Sequence, residues 1–426
     1  MSSASRRDFL KIGVAGAGAA ALMPHTGLAA GKSIAMLHES SFIPAFDAYM
    51  KTTIAAAYKK ATGIDVVYET TSVGSLPTRV STIAETGSGA DVTMDILLTP
   101  FLFDEKFDDL SDIAEEVGKK QGGWYDVAKE AAVVNGKWKA LPFSNIGQLM
   151  NWRTDWFKEV GVTKFPDTWE ELHEIGKKLK AKGHPFGFEL GHGFGDNHGW
   201  IYPLLWSYGG HEVEADGKTV SIDSAETAKA VDFCRKFFQD TMLEDCLGWT
   251  DVSNNKAWMS EQISCTNNAE SILYIAKREF PDIGKVTDQA MNPQGPKGRF
   301  HLMNSISHSV FSFSPVKQEA REFLRWLMTT NALGDWYNSA DSYYQPLLHA
   351  FDNAPMWDVE PRNKPYRDAL ATAHLPGWPA PASPKLAQSV SKYVVVDMFA
   401  KAASGAKTTD VIKTAEGQLK EIYGTA

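Results

Sequence analysis

Short apolar strands separated by single helices constrain this fold more than any other feature of the sequence. After residue 31, KSIAMLH reads as a strand, ESSFIPAFD as a polar loop, and AYMKTTIAAAYKKATG as a helix that stops at Gly63. IDVVYET, SVGSLPTRVSTIAETGSGA and DVTMDILLT repeat the alternation. Strands joined through one helix build parallel α/β units with right-handed crossovers. Ligands of such sheets sit beyond the carboxyl ends of the strands. The positions of interest are therefore His38, Glu39 and Ser40 after the first strand, residues 70–75 after the second, and Thr99, Pro100 and Phe101 after the third. Residues in such places also cap helices and fill turns, so position alone assigns them no role.

A chain of 426 residues exceeds what one hydrophobic core serves, and two domains are expected. The first residues read as an address instead. Ser5, Arg6, Arg7, Asp8, Phe9, Leu10 and Lys11 resemble the twin-arginine export motif, and IGVAGAGAAALMPHTGLAA follows as a short apolar stretch with a small-residue exit. That stretch is too short and too rich in Gly and Ala for a membrane span of about 20 residues. Cleavage after Ala29 makes residues 1–29 the signal and leaves a mature chain of 397 residues. Loss of Arg6, Arg7, Lys11 and Asp8 moves the formal charge from −9 to about −11. An acidic chain without a basic cluster is unsuited to nucleic acid, and the expected location is the periplasm.

Three cysteines, Cys234, Cys246 and Cys265, are too few for a disulfide scaffold. Cys234 and Cys246 either pair in an oxidising compartment or stay reduced and buried, and spacing leaves both open. Thirteen tryptophans and thirteen tyrosines are a surplus that needs a place. DTWEELHEIGKKLKAKG is a strong helix, with Asp167 or Thr168 as its cap, Glu170 and Glu171 in its first turn and lysines near its end.

Several segments, in order, resemble the extracellular solute-binding proteins of bacterial ABC importers, the large family that includes maltose- and other sugar-binding proteins. LPTRVSTIAETGSGADV is similar to the family's second helix and the turn into its third strand, with Ala90, Asp91 and Val92 where Pro-Asp-Val is usual. GKWKALPF resembles the approach to the first interdomain crossing, MNWRTDWFKEVGV the segment built around Tyr-Asn-Lys, and FPDTWEEL a helix start. NPQGPKGRF, SPVKQEAREFLRWLMT and TTDVIKTAEGQLKEI continue the correspondence to the C-terminus. The resemblance implies an α/β, two-lobed periplasmic binding protein fold with a hinge and an interdomain ligand cleft. Lobe one would hold residues 32–142 plus 304–345, and lobe two residues 143–303 plus 346–426. It further implies capture of a small solute, first of all a carbohydrate or polyol, and delivery to an ABC transporter membrane permease, with no cofactor. Sugar rings stack on aromatic side chains, which gives the aromatic surplus a use.

Carried onto this chain, the cleft draws on GFELGHGFGDNHGW, residues 187–200, which offers His192 and Trp200. His192, Asp196 and His198 count as three ligands for zinc, but their spacing matches no known pattern and no metal is expected. Trp249, then Asn267 and Asn268 in SEQISCTNNAES, are further candidates, while Trp258 reads as core. SADSYYQPLL supplies Tyr343 and Tyr344 near a late crossing, and the proline-rich HLPGWPAPASP holds Trp378. These loops contain almost no basic residue, which argues against a strongly anionic solute. No G-x-S-x-G, H-E-x-x-H or C-x-x-C pattern occurs, so no catalytic residue is expected. The competing reading is an exported enzyme acting on a small organic substrate, because the twin-arginine export machinery also carries folded enzymes.

The twin-arginine reading predicts that the secreted protein starts within about two residues of Ala30 and that Arg6→Lys with Arg7→Lys blocks export. Mass spectrometry of periplasmic protein checks the first, and unimpaired export of the double variant would overturn the second.

Overall fold

The computed structural model describes residues 32–425, so the expected export signal lies outside the described residues. In chain order its principal strands are β1 (Ser33–Glu39), β2 (Asp65–Thr71), β3 (Val92–Ile96), β4 (Leu141–Asn145), β5 (Leu149–Arg153), β6 (Cys265–Asn268), β7 (Thr287–Ala290), β8 (Ser305–Val310) and β9 (Gln345–Pro346). Six of them form one sheet in the order β9-β4-β8-β3-β1-β2, and three form another in the order β6-β5-β7.

β1 pairs in parallel with both β2 and β3, as the strand–helix alternation requires. The first crossover starts earlier than the sequence suggests. Pro44 opens the helix Pro44–Tyr49, where its missing N–H costs nothing, and the helix widens over Met50–Ile54 before ending at Gly63 with φ 78°. The second crossover, Leu76–Thr86, ends the same way at Gly87. β8 arrives from far along the chain and pairs antiparallel with β3 and β4. β3, β4 and β8 are buried at every residue, as strands covered on both faces must be.

The smaller sheet is antiparallel throughout. On this side the helix Trp169–Ala181 is capped by Thr168, whose hydroxyl accepts the Glu171 N–H while the Glu171 carboxylate returns to the Thr168 N–H. Arg235, on the helix Ala225–Thr241, donates to the carbonyl of Ala402 and so stops the neighbouring helix Val394–Ala403. Residues 196–200, the end of the stretch 187–200 expected to supply the cleft, open the helix Asp196–Tyr208, which is buried at every residue but Tyr208. A helix apolar on all sides belongs inside the protein, and WIYPLLWSY carries that signal. Cys234, Cys246 and Cys265 are all free and buried, which decides between the two readings left open.

The crossing expected after Pro142 lies three residues later. β4 runs to Asn145, which pairs with both Ser305 and Gln345, and the chain passes to the smaller sheet over residues 146–148. Buried amide side chains tie the crossings together there. Gln345 Oε1 accepts from Asn145 Nδ2 at 3.1 Å and from the Gly147 N–H at 2.6 Å, while its Nε2 donates to the carbonyl of Tyr343 at 2.8 Å. Asn145 Oδ1 in turn accepts the Asn304 N–H at 2.9 Å. Removing this amide strands several buried polar groups, each worth about 1–3 kcal/mol. Gln345→Ala is therefore expected to lose at least about 2 kcal/mol of stability in denaturant unfolding, and a loss within experimental error would show that the knot is dispensable.

Candidate functional site

The two sheets face each other across a narrow cleft at the carboxyl ends of the parallel strands. Glu39 is the last residue of β1, Val73 follows β2, and Ile96 ends β3; all three line it. The opposite wall comes from Asn268 at the end of β6, the turn Phe194–Gly195–Asp196 and Asp251. Between the walls about 30 Å³ is free, room for about two water molecules. Two half-buried phenylalanines, Phe42 and Phe194, enter from opposite walls, and Tyr343 adds a third ring.

Carboxylates shape the second wall. Asp251 accepts the N–H groups of Phe194 at 2.7 Å, Gly195 at 2.8 Å and Asp196 at 3.3 Å, and so takes the capping role that Gly195 cannot fill at the start of helix Asp196–Tyr208. Glu189 accepts the Gly193 N–H at 2.6 Å. Close approach of the backbone permits this: a Cβ on Gly193 would lie 2.0 Å from the Glu189 carboxylate, and one on Gly191 2.0 Å from the Trp249 carbonyl. Asp196 Oδ2 accepts from Asn254 Nδ2 at 2.7 Å and Asn268 Nδ2 at 3.1 Å. Glu189, Asp196 and Asp251 each bring an oxygen within 4.8 Å of the others, a donor set suited to a hard cation or an ammonium group.

The electrostatics follow from that crowding. Burial first, then the charge of Asp251, pushes Asp196 and Glu189 well above the usual carboxylate range. Across the cleft, burial and then the like charges of Asp251 and Asp47 push Glu39 up to about 8, opposed by the Tyr344 hydroxyl. Among the described residues no Lys, Arg or His lines the cleft.

Of the residues expected from sequence, Glu39, Val73 from the stretch 70–75, Asn268 and Tyr343 line this cleft. His38 points to the opposite face of the larger sheet, where its ring packs 5.6 Å from His308 and 5.8 Å from Phe46, and burial lowers its pKa to about 4. Side chains alternate along a strand, so Glu39 and its neighbour cannot share a face. Ser40 is exposed, Thr99 spends its hydroxyl on the Ile96 carbonyl at 2.7 Å, and Phe101 is core. Tyr344 is fully buried on Phe46, with ring centroids 4.0 Å apart, and supports the cleft from behind through Ser41 and Glu39. His192 is exposed, bonds Asp397 at 2.7 Å and stacks on Tyr393. Trp200 is fully buried and donates to the Glu189 carbonyl. Trp249 packs over Gly187, Asn267 bonds Asn292, and Trp378 stacks on His374 with centroids 4.4 Å apart, all outside the lining. His192, Asp196 and His198 form no ligand set: His198 is buried beside Tyr202 instead. Sequence reasoning missed Gln148, Asp251 and Asn304, which sit at crossings and turns with no local motif to mark them.

The folded protein holds the Glu39 proton more tightly than the unfolded chain, so this residue's contribution to stability falls as pH rises from about 4.5 to about 8. Glu39→Gln removes that dependence. Its melting temperature relative to the parent is expected to climb between about pH 5 and about pH 9, measured by thermal unfolding; a difference constant with pH would contradict a protonated, buried Glu39.

Residues 53–365 match the family described as bacterial extracellular solute-binding protein. A binding protein of Brucella abortus (strain 2308) is 23% identical over 272 residues, 62% of this chain and 64% of that protein, so the match spans just under two thirds of that relative. A Deinococcus radiodurans protein named as a probable ABC transporter-binding protein is 23% identical over 355 residues, 79% of this chain and 81% of its own. Among solved structures, maltose-bound MalE3 of T. maritima superposes with a TM-score of 0.80 at 20% identity, covering 92% of this chain and 100% of its own. A sugar transporter from Arthrobacter chlorophenolicus A6 with bound laminaribiose gives 0.80 at 17%, covering 91% and 99%. A solute-binding protein from Agrobacterium radiobacter K84 in complex with ribitol gives 0.77 at 16%, covering 92% and 99%. At such identities the structural likeness establishes the two-lobed fold, and with most of its length matched to the family the chain belongs to the bacterial extracellular solute-binding proteins.

Proposed function

We infer that this protein captures a small carbohydrate or polyol outside the cytoplasmic membrane and hands it to the permease of an ABC importer. The observation that carries this reading is the cleft itself, where Phe42 and Phe194 line opposite walls beside a band of hydrogen-bonding groups, among them Glu39, Asp251 and Asn268. Aromatic faces match the apolar faces of sugar rings, and the polar band matches their hydroxyls. The maltose, laminaribiose and ribitol held by proteins of the same fold support the same class. The twin-arginine-like leader fits periplasmic delivery.

About 30 Å³ is far below the roughly 300–1,000 Å³ of small-molecule sites, so solute enters by separation of the walls. The lobes that move are residues 32–145 with 305–352, and 149–303 with 360–425, turning about the crossings near Gly147 and Asn304 and the passage 353–359.

A thermal-shift screen of neutral sugars and polyols tests the class, since a ligand that binds only the folded state raises the melting temperature. With the ligand it finds, Phe42→Ala and Phe194→Ala are expected to weaken binding by about 2 kcal/mol, roughly 30-fold in Kd, while melting close to the parent. Trp378→Ala, which removes a ring packed on His374 and Trp206, is expected to lose stability and keep its affinity. Parental affinity in both phenylalanine variants, measured by calorimetric titration, would overturn the aromatic clamp.

A further inference from the structure

One ring of the cleft is delivered by a strained turn. Tyr343, which lines the cleft, follows two non-glycine residues with left-handed backbone, Asp341 at φ 48° and Ser342 at φ 66°. A side chain crowds that conformation, and two such residues in succession persist only where their surroundings hold them. The turn belongs to the first lobe, where Gln345 Nε2 donates to the carbonyls of Ser342 at 3.2 Å and Tyr343 at 2.8 Å. Within the turn the Ser342 hydroxyl donates to the Asp341 carbonyl, and the Tyr343 N–H returns to the Ala340 carbonyl at 3.0 Å.

Further restraints come from the other lobe. Asn363, fully buried, donates through Nδ2 to the Asp341 carbonyl at 3.2 Å and to the Ser342 hydroxyl at 3.0 Å. Arg278 Nη2 donates to the Asp341 carboxylate at 2.5 Å. Both are anchored before they reach across. The Arg278 guanidinium lies 3.5 Å from the centre of the Tyr274 ring and donates to the Tyr274 carbonyl at 3.4 Å. Asn363 precedes the helix Lys364–Ala369, whose Tyr366 hydroxyl donates to the carbonyl of Asn268 at 3.0 Å. Asn268 lines the opposite wall, so the short segment 363–366 braces both sides of the cleft.

The turn moves with residues 305–352, and Arg278 and Asn363 move with the other lobe, so separation of the walls parts these contacts. What then remains is the turn's own bonds and those of Gln345. We propose that Arg278 and Asn363 are positioning residues for solute capture: from across the hinge they lock the left-handed turn 341–342 as the lobes close, and so set Tyr343 in the cleft. This rests on the closure of two lobes inferred above and names what holds the closed form. The strain of two left-handed residues, released when the lock parts, favours the open form again.

The test is pulsed electron paramagnetic resonance of the mature chain with spin labels at Lys60→Cys on the first lobe and Lys236→Cys on the other. Both positions are exposed, and the chain's own cysteines are buried. The measurement needs no solute. The parent is expected to show two lobe separations. The closed population relative to the open one is expected to fall about threefold in Arg278→Met and about tenfold in Asn363→Ala, in variants whose melting curves show them folded. Arg278 is partly exposed, so its variant is expected to melt near the parent and serves alone if Asn363→Ala does not fold. Exchanging the pair, Arg278→Asp with Asp341→Arg, is expected to restore the closed population, which a merely structural arginine would not do. In protein containing 3-fluorotyrosine, the fluorine resonance that Tyr343→Phe deletes is expected to shift in Arg278→Met. A single separation in the parent, a distribution unchanged in the folded variants, no recovery in the exchanged pair, or an unmoved Tyr343 resonance would overturn the proposal. A solute from the thermal-shift screen that still shortened the distance would leave closure itself intact.

Discussion

The side chain of Gln345 is the contact on which the two-lobed arrangement turns. Three separate passages of chain meet beside it, and none could be buried there without a partner for its amides. An amide group is well suited to this place because it donates and accepts in fixed directions. With Asn145 answering through Asn304, the last residue of β4, the start of β8 and the start of β9 are held in register at one point. The sheets on either side are thus joined at a narrow, polar junction and left free to present their strand ends to each other.

The cleft wall is a backbone loop folded around carboxylates. Asp251 supplies the cap for helix Asp196–Tyr208, and Glu189 holds the Gly193 amide, so the loop 191–195 is wrapped around negative charge. Glycines at 191 and 193 are required because any side chain would collide with the groups being bound. The price of this geometry is a crowded, buried cluster of carboxyl groups, Glu189, Asp196 and Asp251, the first two of which hold their protons well above the usual range.

Most of the aromatic surplus goes into the cores of the two lobes. Trp200, Trp206, Trp258 and Trp336 are fully buried, and the Trp336 ring stacks 4.3 Å from Phe46 under the larger sheet. Large rings bury much apolar area per residue, and lobes built from short strands and many helices have irregular spaces for them to fill. The cleft is left to smaller rings, Phe42 and Phe194, on loops that lead into helices.

Local chemistry made the strand–helix alternation, the Thr168 cap and the glycine stop at 63 legible in the sequence, because each depends on residues close together in the chain. The segments resembling solute-binding proteins carried the fold class for the same reason, as a succession of local patterns. The antiparallel entry of β8, the pairing of Asp251 with the amides of 194–196 and the meeting of Gln148 with Asn304 were decided only by tertiary structure. Asp251 lies 55 residues from Asp196, and Asn304 about twice as far from Gly195. Nothing in the neighbours of these residues records which distant group they satisfy. His38 makes the contrast sharpest: it adjoins Glu39 in sequence, yet the two-residue period of a strand turns one into the core and the other to the cleft, and only the packing of the sheet says which.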